Sequence, residues 1–121
     1  MPINSGGQKL DDGKNRLDLI PGSALWELGR VYTYGANTKY ADWNWAKGIA
    51  YSRIYGAMMR HAIKWYWCCI TNDEETKCHH LASVAWCAFT LMHYDQDPKT
   101  YREFDDRPFN RGLVGAVEGL E

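Results

Sequence analysis

The sequence predicts an all-α protein, a small bundle of about four helices, on the strength of three observations. Apolar residues recur at intervals of three or four over long stretches. Polar or proline-containing breaks separate these stretches. The alternation of apolar and polar residues that is typical of strands is absent. Helices of this length joined by short connections are typical of a bundle.

The first predicted helix begins between Pro21 and Ser23, because proline suits a first turn and serine can cap it. The second is expected from about Tyr51 to Cys69, with Ser52 as a candidate cap. The third follows a polar break and runs from about Thr76 to Tyr94. The apolar positions expected to face inward are Leu25, Leu28, Tyr32 and Ala36, then Ile54, Met58, Ala62, Trp65 and Cys69, then Leu81, Val84, Ala88 and Leu91.

The fourth predicted helix is short, with Asp97 as its cap, Pro98 at its first position and an end near Asp106. Residues 1–13 are polar and contain glycine, which predicts a flexible arm. Residues 108–121 are punctuated by glycine and predict a loose tail. The chain of 121 residues is expected to form a single domain.

Composition excludes several classes of function. The net charge of -1 lacks the basic excess of a general nucleic-acid binder. No apolar run reaches the roughly 20 residues needed to cross a bilayer, and residues 1–14 lack the apolar core of a secretory signal. We therefore expect a cytoplasmic protein without nucleic-acid or membrane partners. Four cysteines are expected to be free, buried thiols in that setting: Cys68, Cys69, Cys78 and Cys87.

Residues 32–48 concentrate aromatic, amide and charged side chains in one short stretch that glycine closes. Aromatic faces beside cationic donors can cover a flat base and neutralise phosphates. The same tryptophans can instead fill the core at the end of a helix. The candidate nucleotide contacts in this stretch are Lys39, Trp43, Asn44, Trp45 and Lys47.

Acidic and imidazole side chains cluster around the start of the third predicted helix, at Asp73, Glu75, His79 and His80. Carboxylates suit magnesium or manganese, and imidazole suits softer metals, so this group can bind a divalent cation. Acidic residues also favour helix N-termini for electrostatic reasons alone. A zinc site that includes Cys69 and Cys78 is disfavoured, because the spacing matches no common zinc motif.

Basic residues supply candidate phosphate ligands on the second helix and in the N-terminal arm. Arg60 lies beside His61 and four residues before Lys64, so the two cations share a helix face. Glu27 is a candidate inward acid of the first helix, although a pair with Arg30 is the simpler explanation. The arm adds Lys14, Arg16 and Asp18.

Three stretches in combination resemble the phage-encoded dATP/dGTP diphosphohydrolase family (MazZ), which is similar to the MazG-like all-α nucleotide pyrophosphohydrolases. The first is Asp-Gly-Lys-Asn-Arg-Leu-Asp-Leu-Ile-Pro at 12–21. The second is Tyr-Thr-Tyr-Gly-Ala at 32–36, with Lys-Tyr at 39–40 and Asn-Trp-Ala-Lys-Gly at 44–48. The third is Arg-His at 60–61 with His-His-Leu-Ala at 79–82.

The resemblance implies hydrolysis of dGTP or dATP to the monophosphate and pyrophosphate, with Mg²⁺ or Mn²⁺ as cofactor, in a homo-oligomer (dimer or tetramer) in the host cytoplasm. The Glu-x-x-Glu and Glu-x-x-Asp helices of MazG-like enzymes are missing from the central helices. The metal is therefore expected on Glu27, Asp73, Glu75, His79 and His80, of which Glu27, Asp73, Glu75 and His79 would be catalytic. Substrate would be bound by Lys14, Arg16, Asp18, Lys39, Trp43, Asn44, Trp45, Lys47, Arg60 and His61.

Two other functions fit the same residues. A phage protein that binds and sequesters a nucleotide without hydrolysing it is consistent with the missing carboxylate pattern. A helical oligomerisation module would instead use the tryptophans and histidines as core residues.

Overall fold

A computed structural model describes residues 6–120 as an all-helical protein, as the sequence predicts. The four α-helices are α1 (Gly22–Tyr34), α2 (Tyr51–Tyr66), α3 (His80–Asp95) and α4 (Pro98–Tyr101). Single turns of 3₁₀-helix lie at Leu17–Leu19, Asn44–Lys47 and Arg102–Phe104, and a π-helical turn at Gly35–Lys39 extends α1. The first five residues of the predicted arm lie outside the described residues.

Helix α3 occupies the centre of the fold, because both α1 and α2 pack against it. Three tyrosines from three helices form the middle of the core. The ring of Tyr94 in α3 lies 5.8 Å from that of Tyr51 in α2 and 4.3 Å from that of Tyr101 in α4. All three side chains are buried, and Tyr94 has no exposed surface. Aromatic stacking therefore joins α2 and α4 to the C-terminal half of α3.

The buried face of α3 is more polar than the sequence predicts. His80, Ser83, Cys87, Thr90 and Tyr94 lie on one side of the helix and are buried. Leu81, which we expected to face inward, is 39% exposed. A pattern based on hydrophobicity misses this face because three of its five members are polar. The inward face of α3 was therefore predicted correctly only in part, because Leu81 is exposed whereas Val84 and Ala88 are half-buried and Leu91 packs against the core.

Helix α3 also begins four residues later than predicted, since a tight turn occupies residues 73–78. The carboxylate oxygen Oδ1 of Asp73 accepts hydrogen bonds from the backbone N–H groups of Glu75 and Thr76, at 2.9 and 2.8 Å. The side chain of Asp73 thereby caps this turn rather than a helix. The N-cap of α3 is His79, whose Nδ1 accepts from the N–H of Leu81 at 3.0 Å.

The other predicted caps had mixed outcomes. Asp97 caps α4 with Pro98 in the first turn, as expected. Ser52 caps nothing, because Ala50 is the N-cap of α2. Instead the backbone N–H of Ser52 donates to Oδ1 of Asp106 at 2.8 Å. A carboxylate 54 residues away thus satisfies the start of α2.

The aromatic segment (residues 43–48) is held by hydroxyl groups from the core. The hydroxyl of Tyr94 donates to the carbonyl of Trp45, and that of Tyr101 donates to the carbonyl of Ala46 at 2.6 Å. Gly48 closes the segment with φ of +103°, and the ring of Phe104 covers it so closely that a Cβ there would lie 2.2 Å from a ring carbon. Glycine is required here for both reasons.

The described residues contain no helix long and apolar enough to cross a bilayer. Beyond Phe104, residues 105–120 form turns and bends, and from Arg107 onward they are exposed.

Candidate functional site

Three polar side chains from separate elements meet where α2 ends and α3 begins. His61 lies on α2, Asp73 in the turn and His80 at the first position of α3. The Nδ1 atoms of the two imidazoles are 2.8 Å apart, and Nδ1 of His61 lies 3.9 Å from Oδ2 of Asp73. Within residues 6–120 this is the only group of three or more His, Cys, Asp or Glu side chains whose ligand atoms lie within 4.8 Å of one another. We call it the His-Asp-His centre.

Backbone pairing fixes the turn that carries Asp73 against the start of α3. Asn72 and His79 form an isolated antiparallel bridge, and the N–H of Asp73 donates to the carbonyl of Cys78 at 2.8 Å. The N–H of His80 donates to the carbonyl of Thr71, also at 2.8 Å. Because Oδ1 of Asp73 is occupied by the N–H groups of its own turn, Oδ2 is the oxygen presented to the histidines.

The protonation states of His61 and Asp73 are those of metal ligands. Burial lowers the pKa of His61, and the neighbouring His80 lowers it further, so the imidazole is neutral at pH 7. Burial raises the pKa of Asp73, but the N–H groups of Thr76 and Glu75 outweigh it, and the net pKa falls below its usual value. Neutral imidazole and ionised carboxylate are the forms that bind metals.

The donor set suits some divalent ions better than others. It has two nitrogens and one oxygen, and His80 is 1% exposed. Imidazole favours manganese and the later transition metals, whereas Mg²⁺ prefers an oxygen environment. Of the two ions expected from the sequence, Mn²⁺ therefore fits these residues and Mg²⁺ fits them poorly.

The structure brings together two of the five predicted metal ligands, Asp73 and His80. The third member, His61, was predicted to contact substrate. Glu27 forms an ion pair with Arg30 at 3.2 Å, which is the simpler of its two sequence interpretations. Glu75 and His79 adjoin the centre in sequence but are not members of it. His61 was missed because its proximity to His80 arises only when α2 and α3 pack antiparallel.

The predicted base contacts divide into an exposed and a packed part. Trp43 is 71% exposed and has a left-handed backbone, with φ of +64°. Trp45 is half-buried, and its ring centroid lies 5.1 Å from that of His93 and 6.2 Å from that of Tyr32. Asn44 and Lys47 bound the 3₁₀ turn, and Lys47 is exposed. Trp45 thus braces the segment from the core side, while Trp43 presents an indole face to solvent.

The predicted phosphate ligands Lys14, Arg16, Lys47 and Arg60 lie on the surface. Arg16 pairs with Asp18 at 2.7 Å, and both are exposed. Lys14 and Arg60 are also exposed, and Arg60 directly precedes His61 on α2. Lys39 is the last residue of the π-helical turn. Arg60 and Lys64, both on α2 with His61, lower the pKa of His61 by their charge, after the larger effect of burial.

A cavity of about 690 Å³ opens beside the turn that carries Asp73. Its volume lies in the range of small-molecule sites. Thr76 and Cys78 belong to that turn and line one side of the cavity, whereas His61, Asp73 and His80 do not line it. The remaining lining residues come from α1 and the π-helical turn, among them Trp26, Arg30, Tyr34, Asn37 and Thr38.

A sequence model of the family described as "dATP/dGTP diphosphohydrolase, N-terminal" matches residues 4–107. The chain belongs to this family. No curated protein and no solved structure matches the chain. The part of the chain that matches the dATP/dGTP diphosphohydrolase N-terminal family contains the His-Asp-His centre and every residue lining the cavity. Residues 108–120 lie beyond the match.

Proposed function

We propose that this protein hydrolyses a purine deoxynucleoside triphosphate, dGTP or dATP, to the monophosphate and pyrophosphate. The observation that carries the proposal is the family match over residues 4–107. A second, independent observation supports it. A nucleotide-sized cavity adjoins the only His-Asp-His centre of the described residues. In this proposal the purine ring occupies the cavity and the phosphates reach the His-Asp-His centre. Within a phage-infected cell, the reaction would adjust the nucleotide pool in the host cytoplasm.

The divalent cofactor of this reaction, Mn²⁺ or less favourably Mg²⁺, would be held by His61, Asp73 and His80. When bound, such an ion supplies positive charge that offsets the charge developing on the phosphates. Arg60 is exposed next to this centre, so its guanidinium can bind a phosphate in a bidentate manner. Lys14, Arg16 and Lys47 are further exposed cations that a triphosphate could recruit.

The chemical step needs a group that accepts a proton. Water attacks the α-phosphorus, the bond from that phosphorus to the bridging oxygen breaks, and pyrophosphate leaves with the bond electrons. The attacking water loses one proton. Glu75 is our candidate acceptor, because it is exposed two residues after Asp73 and its backbone is fixed to the carboxylate of Asp73.

The assay follows directly from the proposed products. Purified protein with Mn²⁺ is incubated with each of the four deoxynucleoside triphosphates, and products are separated by ion-exchange chromatography. We expect pyrophosphate and dGMP or dAMP in equal amounts, and little product from pyrimidine nucleotides. Release of orthophosphate would contradict cleavage next to the α-phosphorus. Tight binding of a purine nucleotide that stays intact would instead identify a sequestering protein.

We also propose that the protein acts as a homo-oligomer, a dimer or tetramer. Its surface of 10019 Å² exceeds the about 6,700 Å² expected for a compact monomer of 14.0 kDa. Part of the exposed apolar surface lies on α2 and α3. Tyr55, Met59, Ile63 and Tyr66 follow one another at helical spacing along α2 and are 41–65% exposed.

The neighbouring helix extends this apolar surface. Leu81, Phe89 and Met92 of α3 are 39%, 50% and 55% exposed at the same kind of spacing. Tyr55 and Met92 line one shared cavity, so the two stripes are continuous. A patch of this extent is unusual on a monomer, and obligate homodimers bury areas of a few thousand Å². A second copy of the chain is therefore the occupant we propose.

Light scattering after gel filtration tests this assembly. We expect a mass of two or four chains for the wild type, and a shift toward the monomer for Ile63→Glu together with Phe89→Glu. Trp43→Gln, which changes an exposed aromatic residue away from α2 and α3, serves as the control and should leave the mass unchanged. A wild-type protein of one chain's mass at micromolar concentration would contradict the proposal.

A further inference from the structure

We infer that His61, Asp73 and His80 form a preorganised site for one transition-metal ion, of the Mn²⁺, Co²⁺ or Zn²⁺ class, which binds without any nucleotide. The inference does not depend on the proposed substrate. It differs from the MazG-like expectation of a carboxylate-rich magnesium site, because two of the three donors are nitrogen.

The spacing of the donor atoms is the first argument. Two ligands that each lie about 2.1 Å from one ion, at angles of 90° to 110°, are about 3.0 to 3.4 Å apart. The Nδ1 atoms of His61 and His80 are 2.8 Å apart, close to the lower end of that range. Oδ2 of Asp73 lies 3.9 Å from Nδ1 of His61, and the ligand atoms of all three side chains lie within 4.8 Å of one another, so Asp73 must move toward the imidazoles to bind the same ion.

The rigidity of the donors is the second argument. His80 is anchored through its backbone to Thr71 and is almost fully buried. Asp73 is held through Oδ1 and through its own N–H. Its rotation is therefore restricted, and its remaining oxygen faces the imidazoles. A site whose ligands are already ordered loses little conformational entropy when it binds an ion.

A direct hydrogen bond between the two rings, with no ion bound, is the alternative explanation of the 2.8 Å distance between the Nδ1 atoms of His61 and His80.

Metal titration of the full chain distinguishes the two explanations. Protein dialysed against EDTA is titrated with Mn²⁺, Zn²⁺ and Mg²⁺ by calorimetry, and with Co²⁺ by visible absorption. We expect one Co²⁺ or Zn²⁺ ion per chain, bound at least about 100-fold more tightly than Mg²⁺. Binding should also raise the melting temperature, since the ion binds only the folded form. The inference would be overturned if none of Mn²⁺, Co²⁺ and Zn²⁺ binds. It would also be overturned if Mg²⁺ binds as tightly as the transition-metal ions do.

Two variants and one control locate the ion. His61→Asn and His80→Gln should each weaken Co²⁺ binding by about 10-fold to 100-fold or more. His61 is only half-buried, so its variant remains informative if His80→Gln fails to fold. His93→Gln removes an imidazole at the opposite end of α3, where the ring contacts Trp45 and Tyr101, and should bind Co²⁺ as the wild type does. Unchanged affinity in His61→Asn would also overturn the inference.

Because these measurements use no nucleotide, they fail independently of the hydrolysis assay. If the protein binds the metal but does not hydrolyse nucleotides, this inference stands and the proposed function is rejected. If the protein hydrolyses nucleotides but binds no transition metal, the proposed function stands and this inference is rejected.

Discussion

Asp73→Asn is expected to lower the rate of pyrophosphate release by at least about 100-fold under saturating dGTP or dATP. Asparagine keeps an oxygen that can accept the N–H groups of Glu75 and Thr76, so the turn at 73–78 can persist. It removes the only carboxylate of the His-Asp-His centre. The measurement is the steady-state rate with Mn²⁺, alongside the melting temperature as a check of folding.

Glu74→Gln is the matched control for this experiment. Glu74 is exposed, carries the same charge in the same turn and is not a member of the His-Asp-His centre. Its variant should retain the wild-type rate within about two-fold, since a lone exposed charge contributes little. An Asp73→Asn enzyme with full activity would show that this carboxylate is not part of the catalytic machinery.

Tyr94→Ala is expected to lower the free energy of unfolding by about 3 to 5 kcal/mol. The side chain is fully buried, stacks between Tyr51 and Tyr101, and donates its hydroxyl hydrogen to the carbonyl of Trp45. Its removal leaves a cavity and also releases the aromatic segment. Urea denaturation followed by circular dichroism provides the measurement.

Tyr94→Phe separates the contribution of the ring from that of the hydroxyl. It keeps the stacking and loses one hydrogen bond, which costs about 1 to 3 kcal/mol because the carbonyl of Trp45 loses its donor. The phenol itself stays protonated at neutral pH, because burial raises the pKa of Tyr94 to about 12. If Tyr94→Ala costs less than Tyr94→Phe, the stacked tyrosines are not the centre of the core.

Local sequence information was sufficient for the helices but not for their interior faces. Apolar spacing identified Leu28 and Ile54, which are buried, but Leu25 and Trp65 of the same stripes are 51% and 39% exposed. The buried side of α3 contains His80, Ser83 and Thr90, whose polarity is satisfied only by partners that folding supplies. Thr90, for example, is buried while its hydroxyl donates to the carbonyl of Trp86.

In the candidate site, too, some residues could be predicted from the local sequence and one could not. Asp73 and His80 are seven residues apart, so their proximity could be anticipated from the sequence. His61 comes from the preceding helix and joins them only through packing of α2 on α3.

The burial of the cysteines was predicted correctly for only two of the four. Cys78 and Cys87 are buried as expected, and burial raises the pKa of Cys87 to about 11. Cys68 and Cys69 were also expected to be buried, but they lie beyond the end of α2 and are exposed.

The dependence of residues 43–48 on much later parts of the chain has a consequence for folding during synthesis. The carbonyls of Trp45 and Ala46 find their donors 49 and 55 residues downstream, and Phe104 covers Gly48. A ribosome must therefore complete nearly the whole family-matched region before this segment can acquire its final shape. Until then two tryptophans remain accessible on the nascent chain. Such non-local closure slows folding and leaves an interval in which chaperones or misassociation can compete.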